Sequence, residues 1–158
     1  MAWSLACLFV GKCREAALRD AAELYARKLS HLARCEVHII KDAAAALPPA
    51  EKSLRESRDL LAKLPPGAVP VALDETGATW SSRELAARLK VWEDAARSPW
   101  FLVGGAYGLS DELRERARSA GALFSLGRIT LPHELARVVL LEQIYRAECI
   151  LRKVPYHH

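Results

Sequence analysis

The chain alternates short apolar runs with amphipathic segments, and this order strongly limits the folds open to it. Five runs have the length and apolar content of buried strands: residues 3–10, 37–40, 69–73, 100–103 and 122–126. The segments between them carry apolar residues at every third or fourth position, as on one face of a helix. Strands and helices in alternation predict an α/β fold, with a mostly parallel sheet and helices on both faces.

Local signals mark the ends of the first two helices. The first helix is predicted over about residues 15–32. Residues 41–50 end in two prolines and predict a loop, and the second helix carries the apolar positions of residues 54–64. The sequence Pro-Pro-Gly at 65–67 ends that helix, because proline cannot continue it.

The last three helices have recognisable starts. Residues 81–84, Ser-Ser-Arg-Glu, fit a capping box, in which a serine and a glutamate satisfy free N–H groups of the first turn. Ser110 can cap a fourth helix that runs through Ala120, with Gly121 at its end. Pro132 is predicted in the first turn of the last helix, where a missing N–H costs little, and this helix runs to Arg152.

Length and composition indicate a single domain over residues 1–158. Hydrophobic residues make up 51% of the chain and charged residues 27%, which suits a folded protein with a buried core. No apolar run is long enough to span a membrane, and the apolar start has no basic residues before it, unlike a signal peptide. The four cysteines lack the spacing of a disulfide framework or zinc site, so we expect reduced thiols and a cytoplasmic protein.

The net charge of +4 is compatible with a polyanionic partner such as nucleic acid. This charge is weak evidence alone, and the chain has no dense block of Lys and Arg that would form a nucleic-acid-binding tail. The sequence also lacks the Gly-Lys-Ser/Thr of a phosphate-binding loop, so nucleoside triphosphate hydrolysis has no support.

Three of the predicted strands end in chemically unusual loops. Residues 73–77 read Leu-Asp-Glu-Thr-Gly, residues 104–108 read Gly-Gly-Ala-Tyr-Gly, and residues 126–131 read Leu-Gly-Arg-Ile-Thr-Leu. Ligands of open α/β sheets bind outside the carboxyl ends of the strands, and glycine lets the backbone approach a ligand closely. Taken alone, Gly104 and Gly105 are more typical of a tight turn, but the three loops together predict a pocket walled by backbone.

Several polar residues have a structural interpretation beside a functional one. His133 begins the last helix, where the helix dipole disfavours its charged form, and it either closes the loop or contacts a ligand. Arg137 with Glu134, and Arg146 with Glu142, have the spacing of simple helix pairs. The histidine pair at 157–158 has no cysteine or carboxylate nearby at metal-ligand spacing, so we expect no metal.

These motifs occur in an order that resembles one protein family. Residues 73–77 are followed by Phe-Leu-Val-Gly-Gly-Ala-Tyr-Gly-Leu-Ser at 101–110, Thr-Leu-Pro-His-Glu-Leu-Ala-Arg-Val at 130–138, Glu-Gln-Ile-Tyr-Arg-Ala at 142–147 and Pro-Tyr-His at 155–157. Together they resemble the ribosomal RNA large-subunit methyltransferase H (RlmH) family, small SPOUT-class methyltransferases that use S-adenosylmethionine. The resemblance covers essentially the whole chain.

The resemblance implies a fold and a cofactor. The fold would contain a C-terminal trefoil knot of the SPOUT type, in which the last part of the chain threads through a loop; general topology rules argue against such threading. The cofactor would be S-adenosylmethionine. The family's binding positions match Leu73, Gly104, Leu126, Gly127, Arg128, Ile129, Thr130 and Leu131.

The resemblance also implies a reaction and an assembly. The reaction would be methylation of N3 of a pseudouridine in large-subunit (23S) rRNA within the ribosome. The protein would be a homodimer, with the last helix in the interface and the C-terminal tail near the pocket of the other protomer. Tyr156 and His157 are candidates for orienting the base or assisting proton loss, and Arg137 for holding a phosphate or the tail. His158 stands where the family more often has Arg or Lys.

Two other functions remain open. A non-catalytic dimeric protein could keep the knot and bind RNA or the ribosome, but it would have no need to bind S-adenosylmethionine. An α/β enzyme with another nucleotide would need a phosphate cradle at a helix N-terminus, which the sequence does not show. The glycine loops and the Tyr-His tail favour the methyltransferase.

Overall fold

In the computed structural model, the described residues 3–157 form five strands and five helices in alternation. The strands are β1 (Ser4–Val10), β2 (Arg34–Ile40), β3 (Val69–Thr79), β4 (Pro99–Val103) and β5 (Leu123–Ser125). The helices are α1 (Ala16–Ser30), α2 (Pro49–Lys63), α3 (Ser82–Asp94), α4 (Asp111–Ser119) and α5 (His133–Arg152). Every predicted strand and helix is therefore present, in the predicted order.

The strands form one sheet in the order β2-β1-β4-β3-β5, and every neighbouring pair is parallel. Alternate side chains of β1 point to opposite faces, so an apolar strand needs cover on both. Leu5, Cys7 and Phe9 pack in a core with α1, α3 and α5, whereas Leu8 and Val10 pack in a second core with α2 and α4. The predicted α/β fold with helices on both faces is confirmed.

Strand β3 departs most from the sequence prediction. The turn predicted at residues 74–77 is wrong, because β3 continues beyond it as extended backbone. Leu73 and Ala78 both pair with Phe124 of β5, so the residues between them bulge out of the ladder. A Cβ atom on Gly77 would lie 2.6 Å from the backbone of Phe124, so only glycine permits this close approach.

The observed starts of α2, β2 and α5 differ slightly from the predicted ones, and each difference has a local cause. Helix α2 begins at Pro49, inside the predicted loop, because a proline fits a first helical turn where its missing N–H is not needed. Strand β2 begins at Arg34, earlier than predicted, since it pairs with β1 along its whole length from Ser4 onward. Pro132 lies immediately before α5 and not in its first turn.

The predicted helix caps of α3 and α4 are confirmed. The Ser81 hydroxyl accepts the N–H of Glu84 at 3.1 Å, and the Glu84 carboxylate accepts the N–H of Ser81 at 2.6 Å, which completes the capping box. Ser110 Oγ accepts the N–H of Leu113 at the start of α4. Gly121 follows α4 with a φ of +66°, the left-handed conformation that favours glycine at a helix end.

The four cysteines all carry free thiols, as predicted. Cys7 and Cys149 are buried in the core, and the other two are partly exposed. Within residues 3–157, no helix is both long and apolar enough to cross a membrane.

Candidate functional site

The carboxyl ends of β3, β4 and β5 and the start of α5 surround one cleft of about 780 Å³. The loop after β4 forms one wall, and the segment between β5 and α5 forms another. This edge of the sheet is where open α/β folds bind ligands, and the volume suits a nucleoside-sized ligand.

Seven of the eight predicted cofactor-binding residues line this cleft. They are Leu73, Gly104, Leu126, Gly127, Ile129, Thr130 and Leu131. Arg128, the eighth, is exposed and lies outside the lining. The fold therefore brings together three loops that are far apart in the sequence, while their binding of a cofactor stays a prediction.

The glycine loop after β4 is too tightly packed to carry side chains at its first two positions. A Cβ atom on Gly104 would lie 2.9 Å from the carbonyl oxygen of Gly108, and one on Gly105 would lie 2.9 Å from Glu56 Oε1. The Gly108 N–H donates to the Gly105 carbonyl at 3.1 Å, and Gly108 has a φ of +75°. Glycine at these positions makes this wall a backbone surface.

A buried polar row on α2 holds the glycine loop from behind. Ser53 Oγ donates to the Gly108 carbonyl at 3.1 Å, and Ser57 Oγ accepts the N–H of Ser110 at 2.8 Å. Glu56, between the two serines, is also buried. Sequence reasoning missed these residues, although polar side chains at helical spacing on an inward face were a signal that could have found them.

An ion pair fixes the rim of the cleft beside β3. Arg114 Nε lies 3.0 Å from Asp74 Oδ1, and both residues line the cleft. Burial alone would raise the pKa of Asp74, but hydrogen bonds from Thr76 and Arg114 outweigh it, so the pKa is lowered. Asp74 is therefore a charged and occupied acceptor at neutral pH.

His133 lines the cleft from the first turn of α5. Burial, followed by the positive charge of Arg137, lowers the pKa of its imidazole below the usual 6.5. At pH 7 the ring is therefore neutral, which leaves one ring nitrogen able to accept a proton.

Arg137 does not line the cleft, and among the described residues it makes no hydrogen bond to the tail. Its side chain is 2% exposed, its guanidinium donates to the Val10 carbonyl, and the guanidinium carbon lies 5.2 Å from the centre of the Phe9 ring. The predicted pair with Glu134 is wrong. Glu134 Oε1 instead accepts the Cys13 thiol at 2.9 Å and two backbone N–H groups just before α1.

The C-terminal tail folds back onto the middle of α5. Tyr156 donates its hydroxyl to Glu142 Oε1 at 3.0 Å, and Arg146 binds the same oxygen at 2.6 Å, which confirms the predicted Arg146–Glu142 pair. Arg146 also lies 3.4 Å from His157 Nδ1 and stacks over the Tyr156 ring. Burial and then the Glu142 hydrogen bond raise the pKa of Tyr156 to about 12, so its hydroxyl is a neutral donor. His158 lies outside the described residues.

The structure does not bring the tail to the cleft of the same protomer. Neither Tyr156 nor His157 is part of the cleft lining. Glu142, which holds the tail, follows His133 by nine residues on α5. At 1.5 Å per residue, this places the two about 14 Å apart along the helix.

Metal-ligating side chains do not cluster in the described part of the chain. Between residues 3 and 157, no group of three or more His, Cys, Asp or Glu side chains is arranged to hold a metal ion. The polar groups of the cleft are instead backbone amides, the Asp74–Arg114 ion pair, the His133 imidazole, the Glu75 carboxylate and the hydroxyls of Tyr107, Ser125 and Thr130.

Comparisons with known proteins point to one family. A family model described as "Predicted SPOUT methyltransferase" matches residues 3–157. The ribosomal RNA large subunit methyltransferase H of Oleidesulfovibrio alaskensis is 46% identical over 156 residues, which cover 98% of this chain and 99% of that protein. The protein of the same name from Desulfovibrio desulfuricans is 48% identical over 155 residues, which cover 98% of this chain and 97% of that protein.

A solved structure shares the fold at low sequence identity. The ribosomal RNA small subunit methyltransferase E of Neisseria gonorrhoeae, bound to S-adenosyl methionine, superposes with a TM-score of 0.51 at 14% identity. The match covers 93% of this chain and 66% of that one. At this identity the likeness concerns the fold alone.

Proposed function

Because this chain belongs to the SPOUT methyltransferase family, and within it to the ribosomal RNA large subunit methyltransferase H proteins, we propose that it methylates ribosomal RNA. The methyl acceptor is N3 of a pseudouridine in the large-subunit (23S) rRNA of the ribosome, and the methyl donor is S-adenosylmethionine. The observation that carries this proposal is the backbone-walled cleft, which joins the three loops that the family resemblance assigns to the cofactor.

The residues of the cleft fit this cofactor. Gly104 and Gly105 have no room for side chains, so a purine edge can approach their backbone closely, although the Gly105 carbonyl already accepts the Gly108 N–H. The segment 126–131 forms the opposite wall, which offers backbone groups and apolar side chains to the ligand. The cleft volume of about 780 Å³ accommodates the molecule. S-adenosylmethionine supplies an electrophilic methyl group on a positively charged sulfur.

The protein's part in the reaction is to position two reactants and to accept a proton. Transfer of a methyl group in line needs the attacking nitrogen held close to the methyl carbon, and this positioning is worth several kcal/mol. The tail is suited to orienting the base, because Tyr156 is a neutral hydrogen-bond donor and His157 lies beside the Arg146 guanidinium. Arg137 is deeply buried and serves the packing of α5 against β1 within the protomer.

The separation of tail and cleft supports a homodimer as the active species. About 14 Å of helix lies between them in one protomer, so the tail of a second copy has to complete the site. Residues Leu135, Val138 and Val139 of α5 remain partly exposed beside the cleft, and such an apolar strip suits an interface between copies.

The same family membership supports the trefoil knot. Strand β5 pairs with β3 at the edge of the sheet, and the chain then returns beside the loop of β4 before α5 begins. We expect the part of the chain after β5 to thread through a loop, as the resemblance implies.

A methylation assay tests the proposed function. Purified protein, ribosomes from cells that lack it and isotope-labelled S-adenosylmethionine should yield one labelled nucleotide, identified by mass spectrometry as N3-methylpseudouridine in the large-subunit rRNA. Label on another nucleotide would refute the proposed acceptor. Calorimetry in which S-adenosylmethionine does not bind would favour the non-catalytic RNA-binding protein.

A further inference from the structure

The proton acceptor can be sought among the side chains that line the cleft. Asp74 is occupied by Arg114 and Thr76, and its pKa is lowered. His133 is the one imidazole in the described lining, and imidazole exchanges protons nearest to neutral pH. Tyr156, with its pKa raised to about 12, binds Glu142 as a donor.

A buried carboxylate lies behind the glycine wall of the same cleft. Glu56 is 5% exposed, and its Oε2 accepts the N–H of Ala43 at 2.9 Å. Its Oε1 is buried and has no hydrogen-bond partner among the described residues. A Cβ atom on Gly105 would lie 2.9 Å from this oxygen, so the missing side chain lets the carboxylate lie directly against the wall. A buried carboxylate oxygen without a partner is costly, and a nearby positive charge lowers that cost.

We propose that His133 accepts the N3 proton of the substrate base, and that Glu56 is a positioning residue that stabilises the imidazolium formed. This inference rests on the proposed function. N3 gives its proton to a ring nitrogen of His133 and forms a bond to the methyl carbon; the carbon–sulfur bond of the donor breaks, and its electron pair stays on the sulfur. His133 gains one positive charge, which the Glu56 carboxylate offsets, as carboxylates do for histidines in other enzymes.

The charges around His133 suit this role. Burial lowers its pKa most; Arg137 and Arg14 lower it further, whereas Glu134 and Glu56 raise it. Glu134 already accepts hydrogen bonds from a thiol and two backbone N–H groups. Glu56 Oε1 has no hydrogen-bond partner among the described residues, so this oxygen is free to interact with a positive charge.

An NMR titration of the His133 imidazole tests the electrostatic coupling between Glu56 and His133, and it does not require an active enzyme. Glu56→Gln keeps a carbonyl oxygen for the Ala43 N–H but removes the negative charge. We expect the His133 pKa to fall by about 0.5–1 unit in this variant. The control is Glu51→Gln, an exposed residue in the first turn of the same helix, which should leave the pKa unchanged. An unchanged His133 pKa in Glu56→Gln would overturn the role of Glu56.

Turnover measurements test the proton transfer itself. His133→Gln should lower kcat on ribosomes by about 100-fold or more, while the Kd for S-adenosylmethionine stays within about threefold. In Glu56→Gln, the acid limb of the kcat profile should move to lower pH, together with the His133 pKa. The matched control is His31→Gln, an exposed histidine after α1.

The possible failures are distinguishable. Full turnover of His133→Gln in an otherwise active enzyme would overturn the inference and leave the proposed function intact. A wild-type protein that methylates no ribosomal RNA would refute the proposed function and the proton-acceptor role together. The NMR titration would still report the coupling between Glu56 and His133 in that case.

Discussion

The N-terminal end and the middle of helix α5 present different chemistry. The N-terminal end adjoins a cleft walled by glycine backbone and offers a neutral imidazole, His133. The middle of the helix holds the tail through charged side chains: Glu142 accepts hydrogen bonds from both Tyr156 and Arg146. A backbone wall suits the binding of a cofactor that is the same in every turnover, whereas charged side chains suit contact with a polyanionic substrate. We therefore expect these regions to be two half-sites that meet across a dimer.

Two carboxylates show how differently the ends of α5 are stabilised. Hydrogen bonds from Cys13 and from backbone N–H groups lower the pKa of Glu134, in the first turn, to about 2. Burial raises the pKa of Glu148, near the last turn, to about 7, and the charge of Arg152 only partly opposes this effect. Hydrogen bonds therefore favour the charged form of Glu134 at the first turn, while the other end contains a carboxylate that resists ionisation.

Of the changes considered, loss of the tail should have the largest effect on methyl transfer. An active protein without the tail would contradict the comparison between the two regions of α5. Deleting residues 156–158 should lower methyl transfer to ribosomes by about 1000-fold, because the base is no longer oriented. The Kd for S-adenosylmethionine, measured by calorimetry, should not change. Full activity of the shortened protein would contradict a catalytic tail.

Blocking the glycine wall should weaken cofactor binding, which loss of the tail should leave unchanged. Gly104→Val places side-chain atoms against the Gly108 carbonyl and the Leu109 side chain, so S-adenosylmethionine should bind about 100-fold more weakly while the dimer stays folded. Gly67→Val is the control for a general loss of stability: this glycine has a φ of +82°, which valine adopts poorly, but it has no atoms near its Cβ position and does not line the cleft, so the affinity for S-adenosylmethionine should not change. Unchanged affinity in Gly104→Val would remove this loop from the cofactor site.

The buried carboxylate at the end of α5 predicts a pH effect on stability. The pKa of Glu148 is raised from 4.5 to about 7 on folding, so its stabilising contribution is fully present below pH 4.5 and is lost as the pH rises through 7. Glu148→Gln should therefore raise the free energy of unfolding at pH 8 by about 1–3 kcal/mol. Denaturant unfolding at pH 5 and 8 measures this; a variant less stable than wild type at pH 8 would contradict it.

The smallest expected effect concerns a single hydroxyl. Tyr156→Phe removes the hydrogen bond to Glu142 but keeps the ring against Tyr145 and Arg146, so the tail should lose about 1 kcal/mol of docking energy. Turnover should fall about fivefold to tenfold with no shift in the pH profile. A shifted acid limb would instead identify the tyrosine as a titrating group.

The fold and the cleft could be predicted from the sequence for a physical reason. Buried parallel strands need continuous apolar runs, and helices that cover both faces need an amphipathic pattern. The local sequence pattern therefore predicts the order of strands and helices. The strand ends meet at one edge of such a sheet, which brought Leu73, Gly104 and Leu131 together as predicted.

What the sequence could not reveal depends on contacts between distant segments. The bulge at residues 74–77 resembles a turn locally, and only the pairing of Leu73 and Ala78 with Phe124 makes it part of a strand. Glu134 matched a pair with Arg137 by spacing, but its carboxylate binds the start of α1 more than a hundred residues away in the sequence. The buried row of α2 behind the glycine loop is likewise a tertiary feature.

The central claim is that the tail of one protomer completes the cleft of the other, and mixed dimers test it most directly. Gly104→Val has an intact tail but no cofactor site, and the protein without residues 156–158 has an intact cleft but no tail. Each alone should be inactive. Unfolding and refolding them together in equal amounts should restore about one quarter of wild-type activity, because half of the dimers then contain one complete site. No recovery of methylation, with mixed dimers shown to form, would contradict the claim.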